Sequence, residues 1–229
     1  MGQSIFIFIH RLVITLTFNP DTSRQTQKPL FIFGAGGHGR VVADAALLQC
    51  AWVSVLAGAH SLSGLQTELL PGVRLIELDA VKRTDAEVHS AIGNNAARQS
   101  ETHAFDLQRL VCVIHPSASV SNFSQMGAGC FVAAGAVVAP AATLGQGVIV
   151  NHGAVIDHDT EIGDFSHVAQ RASVCGHAKL GQRVLIGSGA IVLSSVVLGD
   201  DVVLSPGSIA SCHLLEPGLY SGIPAVKIQ

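Results

Sequence analysis

The chain lacks several features that would fix its class early. It has no large charge imbalance: 13 Lys and Arg face 16 Asp and Glu, a formal −3. Nothing in that balance draws a polyanion, so neither nucleic acid nor a membrane surface is expected as a partner. It has no CxxC pair, and its five cysteines (Cys50, Cys112, Cys130, Cys175, Cys212) are odd in number. A disulfide framework and a structural zinc site are therefore not indicated, and a reducing cytoplasm fits. It also has no apolar run long enough to cross a bilayer. The stretch "SIFIFIHRLVITLTF" at 4–18 is interrupted by His10 and Arg11, and it has neither a basic start nor a small-residue cleavage site. Residues 1–28 are read as an extension ahead of a domain that begins near Lys28.

What is present is apolar and glycine-rich: 48% hydrophobic residues and 24 glycines in 229, enough chain for two domains. From Pro29 to about Leu110 short apolar runs alternate with helical segments. "LFIF", "WVSVLAG" and "VHSAIGNN" read as strands, and "GHGRVVADAALLQC" and "AARQSETHAFDLQRL" as helices. That alternation predicts a small parallel α/β sheet with ligands at the carboxyl ends of its strands. Gly34, Gly36 and Gly39 satisfy G-x-G-x-x-G between the first strand and helix. Bare amides at such a helix start attract phosphate. A dinucleotide site would add an acid on the ribose about twenty residues later. "SVLAGAH" at 54–60 contains none.

From Val120 the period changes to six. An aliphatic or Met residue recurs without a slip from Val120 to Leu204, fifteen hexads in all, and the residue four later is always small. Such a repeat predicts a parallel β-helix in which each hexad forms one flat side and three sides make a coil. Five coils at the strand spacing give a prism on the order of 24 Å tall. The division expected is an extension at 1–28, an α/β domain at 29–112 and a β-helix at 113–229.

Three stretches, "GAGGHGRVVAD" at 34–44, "AIGNN" at 91–95 and "NHGAVIDHDTEIGDFSHVAQRASVCG" at 151–176, resemble the sialic-acid and bacillosamine acetyltransferase-like proteins, a hexapeptide-repeat family. The resemblance covers roughly 200 residues and implies a Rossmann-like domain followed by a left-handed β-helix. It implies acetyl-CoA as co-substrate, no metal, a nucleotide-linked amino sugar as acceptor and a cytoplasmic homotrimer. Gly36, Gly37, His38, Gly93 and Asn94 would line the nucleotide-sugar cleft, and His167, Ser188 and Pro206 would meet acetyl-CoA. Asn151 would hold the carboxylate of Asp159. Where the family often carries an acidic pair after the second strand, this chain is read as having Ala57 and Gly58.

The chemistry is expected at His158 and Asp159. Both lie outside the inward positions of their hexad, Ile156 and Thr160, so both side chains can project from a corner of the prism. Acyl transfer from a thioester needs a base for the nucleophile's proton, and a carboxylate beside an imidazole orients it and raises its basicity. His167 lies half a coil further on and faces another edge, so the two imidazoles meet only between subunits. His152 and His177 are not read as metal ligands, because no carboxylate cluster completes a coordination sphere. The function expected is N-acetylation of a nucleotide-linked amino sugar for surface glycans, by direct transfer with His158 as base. The alternatives are a sialic-acid-type O-acetyltransferase, an NAD-binding oxidoreductase and a non-catalytic trimeric scaffold.

Overall fold

Every residue of Leu30–Phe33 is apolar and buried, a pattern that a central parallel strand covered on both faces satisfies. In the computed structural model, which describes residues 26–61, 67–81 and 84–228, this segment is β1. It is followed by α1 (Gly37–Gln49), β2 (Val55–Ala59), β3 (Glu68–Leu70), β4 (Val73–Glu77), α2 (Leu78–Val81), β5 (Glu87–Ser90) and α3 (Asn95–Thr102). The sheet runs β3-β4-β2-β1-β5. β1 lies parallel to β2 and β5, and β4 parallel to β2, while β3 turns back antiparallel. The turn from β1 into α1 depends on close packing at Gly39, where an added Cβ would stand 2.0 Å from the carbonyl oxygen of Gly34. The apolar stretch at 4–18 lies outside the described residues.

Three sequence expectations change here. The β3–β4 pair was not foreseen, because its two short runs carry little period-2 signal. The helix expected through Leu110 ends at Thr102, and a 3-10 turn at Leu107–Arg109 follows. Between them Phe105 turns its ring edge-on to Phe33, at 5.8 Å between centroids. Finally, Ala57 and Gly58 lie within β2, paired with Ile32 and Phe33. A Cβ on Gly58 would meet the Ile76 oxygen at 2.0 Å. Neither position is on the loop after the strand, so the missing acids there say nothing about the ligand. The carboxyl end of β2 leads to His60, whose Nε2 lies 2.9 Å from a Glu101 carboxylate oxygen.

From Val113 the chain winds into a left-handed parallel β-helix. Short strands recur every six residues, and each pairs in parallel with the strand 18 residues on, as Phe131 does with Ile149 and Ile149 with His167. The hexads extend one beyond the expected run at each end, with strands at Val113–Ile114 and Ile209–Ala210. The aliphatic at the end of each strand and the small residue four later fill the interior, from Ala136 and Val138 to Leu204 and Ser208. Every sixth residue from Gly129 to Gly207 takes a positive φ and turns a corner; eight of these are not glycine, Asp159 (φ 57°) and His177 (φ 61°) among them. Cys130 and Cys112 fill inward positions, whereas Cys50 and Cys212 are exposed.

The three faces of the prism differ outside. One is docked on the α/β sheet: Val113, Phe131 and Ile149 are buried in one cluster with Leu30, Ile32 and Val42. Its outward column then continues through His167, Leu185 and Val203. The next face presents Ser119, Val137, Val155, Ser173, Ile191 and Ile209 outward and is mostly apolar. The third presents Gln125, Thr143, Glu161, Lys179 and Val197 and is mostly polar. Among the described residues no helix is long and apolar enough to cross a membrane.

Candidate active site

His158 and Asp159 occupy the corner between the apolar and polar faces. Asp159, in a left-handed conformation that Asp tolerates better than most residues, brings its carboxylate back onto the preceding ring. His158 Nδ1 lies 2.8 Å from Asp159 Oδ2, and the His158 backbone N–H donates to Asp157 Oδ1 at 2.8 Å. An ionised carboxylate only accepts, so Nδ1 carries the proton and Nε2 presents its lone pair. The hydrogen bond that Nδ1 donates to Asp159, and after it the charge of Asp157, raise the imidazole's pKa above its ordinary 6.5. Both side chains are about half exposed, 52% and 48%, which leaves the pair open to a substrate.

The next coil stacks two more residues on this corner. Gly176 lies under the His158 ring, where a Cβ would come within 2.7 Å of the ring carbon Cε1 and 2.8 Å of Nε2. His177, above Asp159, reaches the same Oδ2 at 3.9 Å, and its ring stands at 87° to that of His158 with centroids 5.2 Å apart. One donor atom each from His158, Asp159 and His177 therefore lies within 4.8 Å of the others, all on exposed side chains. Pairing residues by hexad misses this contact, because it arises from the 18-residue stacking of coils. A trough of about 590 Å³ runs from this corner along the polar face past Glu161, Asp164 and Lys179.

A second cluster forms where the docked face leaves the α/β domain. His167 Nε2 lies 3.1 Å from Asn151 Nδ2, and Asn151 Oδ1 accepts from the backbone N–H of His152 at 2.9 Å. The expected contact from Asn151 to the Asp159 carboxylate is thus not formed within the chain. Asn151 follows a strand of the docked face and Asp159 follows one of the apolar face, so they leave the prism on different sides. Burial first, and the nearby Arg98 charge second, lower His167 to about 4, against the opposing effect of the Gly93 carbonyl. Among the described residues no hydrogen-bond partner is common to the His158 and His167 side chains.

The other expected residues fall into two groups. Ser188 and Pro206 are exposed and stack on Gln170 in one corner column, with Ser188 Oγ donating to Gln170 Oε1 at 2.9 Å and Gly207 N–H to Ser188 O at 3.0 Å. Continued by one coil, the column reaches His152, a track of roughly 14 Å at the usual strand spacing. Gly36 and Gly37 open the first turn of α1 with no atom within 4 Å of an added Cβ, and Gly93 is equally open. Asn94 Oδ1 is committed to capping α3, accepting from Ala97 N–H at 2.9 Å. His38 packs edge-on against Phe131 at 5.3 Å, and burial lowers it to about 3. Its Nε2 is buried without a protein partner. The sequence reading missed Gly176, His177 as a neighbour of Asp159, and Arg98.

Residues 29–105 match the PglD N-terminal domain family. The acetyltransferase domain of PglB from Neisseria gonorrhoeae, solved with acetyl coenzyme A, is 29% identical with a TM-score of 0.81, covering 89% of this chain and 100% of that one. PerB from Caulobacter crescentus, solved with CoA and GDP-perosamine, is 28% identical with a TM-score of 0.76, covering 88% and 97%. WeeI from Acinetobacter baumannii, at 19% identity and a TM-score of 0.76, shares the fold. No curated protein sequence matches at a significant level. The fold and these matches define an acetyltransferase built on a left-handed β-helix. Residues 29–105 carry the N-terminal domain of the PglD family, and the chain as a whole is similar to nucleotide-sugar acetyltransferases of the sialic-acid and bacillosamine type. The oxidoreductase and scaffold alternatives are thereby set aside.

Proposed function

We propose that the chain transfers the acetyl group of acetyl-CoA to the amine of a nucleotide-linked amino sugar, with residues 29–112 holding the nucleotide and residues 113–229 the acetyl-CoA. The observation that carries this reading is the exposed His158–Asp159 pair with its Nε2 lone pair free. The amine nitrogen attacks the thioester carbonyl as Nε2 takes its proton. The C–N bond forms, the tetrahedral intermediate collapses with loss of the C–S bond, and the imidazolium returns the proton to the departing thiolate. No covalent enzyme intermediate is needed, since no activated Ser or Cys nucleophile lies beside the pair. PerB, crystallised with GDP-perosamine and CoA, supports this substrate class. The open amides at Gly36 and Gly37 suit a diphosphate. The column from His152 to Pro206 suits a pantetheine arm. The reading places the enzyme in the cytoplasm.

The test is thiol release from acetyl-CoA against a panel of UDP-, GDP-, dTDP- and CMP-linked amino sugars and free sialic acids. Release with a nucleotide-linked amine and not with its N-acetylated form is expected. Release only with a free sugar hydroxyl would replace the N-acetyl reading with O-acetylation.

The reading also makes the enzyme a homotrimer with each site between subunits. The apolar column Val137, Val155, Ile191 and Ile209 is flanked by the two corners that carry His158 and the Ser188–Pro206 track. Packing such faces around a three-fold axis carries one subunit's His158 corner towards its neighbour's track. Mixing His158→Ala subunits with His167→Ala subunits, with dissociation and reassembly and assayed at acetyl-CoA far below the raised KM so that each parent trimer is nearly silent, is expected to restore about a quarter of the sites, the fraction drawing both intact histidines from different chains. No recovery in reassembled mixed trimers would place both groups in one subunit's site.

A further inference from the structure

Arg98 has the largest fully buried side chain among the described residues, and its guanidinium touches no carboxylate in any hydrogen bond it makes. Nε donates to Gly147 O at 2.8 Å, and Nη1 to Ile92 O at 2.9 Å and Gly93 O at 3.2 Å. Nη2 donates to Asn95 Oδ1 at 2.9 Å and to Phe165 O at 2.7 Å, with Ser166 O at 3.4 Å. Burying a cation without a counter-charge is costly, and an apolar side chain of similar volume commonly fills such a place as well or better. What the guanidinium adds is a rigid planar fork. Here it holds carbonyls from two parts of the chain at fixed spacing: the loop between β5 and α3 on one side and two stacked corners of the β-helix on the other. One of those corners, Phe165, is a bulky residue in the left-handed region (φ 56°), a conformation that persists only where its surroundings enforce it.

Three of these carbonyls, those of Gly93, Phe165 and Ser166, belong to residues beside His167. Phe165 and Ser166 precede it in the chain, and the Gly93 carbonyl is close enough to raise the ring's pKa against the effect of burial. The amide of Asn151 is oriented by His152, whose backbone N–H it accepts, so its Nδ2 donates to His167 Nε2. That nitrogen is an acceptor, so the ring proton sits on Nδ1.

We propose that Arg98 is a positioning residue for His167: by clamping the β5–α3 loop at Gly93 to the corner at Phe165–Ser166 it holds the ring where the Asn151 amide meets Nε2, which keeps the Nδ1–H tautomer, and it joins the nucleotide-side loop to the acetyl-CoA side. The link between substrates rests on the roles given above to His167 and Gly93, whereas the tautomer does not. A nucleotide seated on Gly93 thereby acts on His167 through one shared guanidinium.

The experiment uses the full chain and has two arms. In long-range nitrogen–proton spectra of the wild type, His167 is expected as a single Nδ1–H tautomer; an Nε2–H tautomer overturns the proposal. Arg98→Lys keeps the charge and loses the fork. It is expected to mix the two tautomers and to raise KM for acetyl-CoA and for the nucleotide sugar together, each roughly tenfold, the scale of a small misplacement. An unchanged tautomer in folded Arg98→Lys also overturns it. Should that variant not fold, Asn95→Ala removes one acceptor of the fork and the Asn95 bonds to Arg183 O and Val184 O; the same changes are expected at smaller size, and their absence counts against the proposal. His167→Asn is expected to raise the acetyl-CoA KM alone. If it does not, the role given to His167 fails while the spectra still decide the role of Arg98.

Discussion

Replacing His158 with alanine is expected to lower turnover by roughly 10²–10⁴-fold, the size of a lost general base, with thermal unfolding and assembly unchanged. The ring is half exposed at a corner and buries little apolar surface, so its removal costs the fold little. Its one strong side-chain partner is Asp159. The pH profile gives a second, independent readout. The base works only when neutral, so kcat/KM is expected to rise with pH and level off above the pKa of His158. Asp159 chiefly, and then Asp157, hold that pKa above 6.5, which places the acid limb on the alkaline side of an ordinary histidine. Asp159→Asn removes the larger cause: the limb moves to lower pH and the plateau falls, because the ring loses its orienting partner. A His158→Ala enzyme with wild-type turnover, or an acid limb indifferent to Asp159→Asn, removes the pair from the mechanism.

The parts of this architecture that repeat were legible in the sequence, and the parts that depend on what stacks on what were not. The hexads from Val120 to Leu204 display their period because each side of the prism sees the same interior, so every Ile, Val and Leu at the sixth position answers the same demand. "LFIF" reads as a central strand for a similar reason. Contacts between coils are set by an offset of 18 residues, and that period carries no residue-type signal, since the outward positions have no common environment. Thus Asp159 and His177 are neighbours, and Gly176 lies under His158, without any local mark in "SVCGHAKL". Arg98 was hidden differently. An arginine in an eight-residue helix that is otherwise mostly polar reads as a solvated side chain, and its partners are backbone carbonyls, which sequence does not display. The misplacement of Ala57 and Gly58 shows the same limit: a run of small apolar residues at the end of a strand does not show which residue is the last one paired.

Gly176→Ala is expected to cost about 10²-fold in turnover, the effect of moving a reacting group by about an ångström, while leaving stability unchanged or slightly raised. The two halves of that expectation have separate causes. Gly176 is not among the residues with positive φ, so alanine is free to adopt its backbone conformation. Exchanging Gly for Ala at such a position stabilises a fold by roughly 0.4–1 kcal/mol, chiefly by restricting the unfolded chain. The added methyl, however, would lie 2.7–3.2 Å from three atoms of the His158 ring, closer than real contacts allow. The ring is at the surface and can swing away, so the fold adapts; in swinging it gives up the 2.8 Å contact with Asp159, and Nε2 no longer points where the acceptor amine must arrive. The loss should therefore fall mainly on kcat, and the pH limb should shift towards lower pH, as in Asp159→Asn, because the ring has left its carboxylate. Crystals of the variant would show the displaced ring directly. Full activity with the methyl in place would mean that the ring orientation seen here is not the working one.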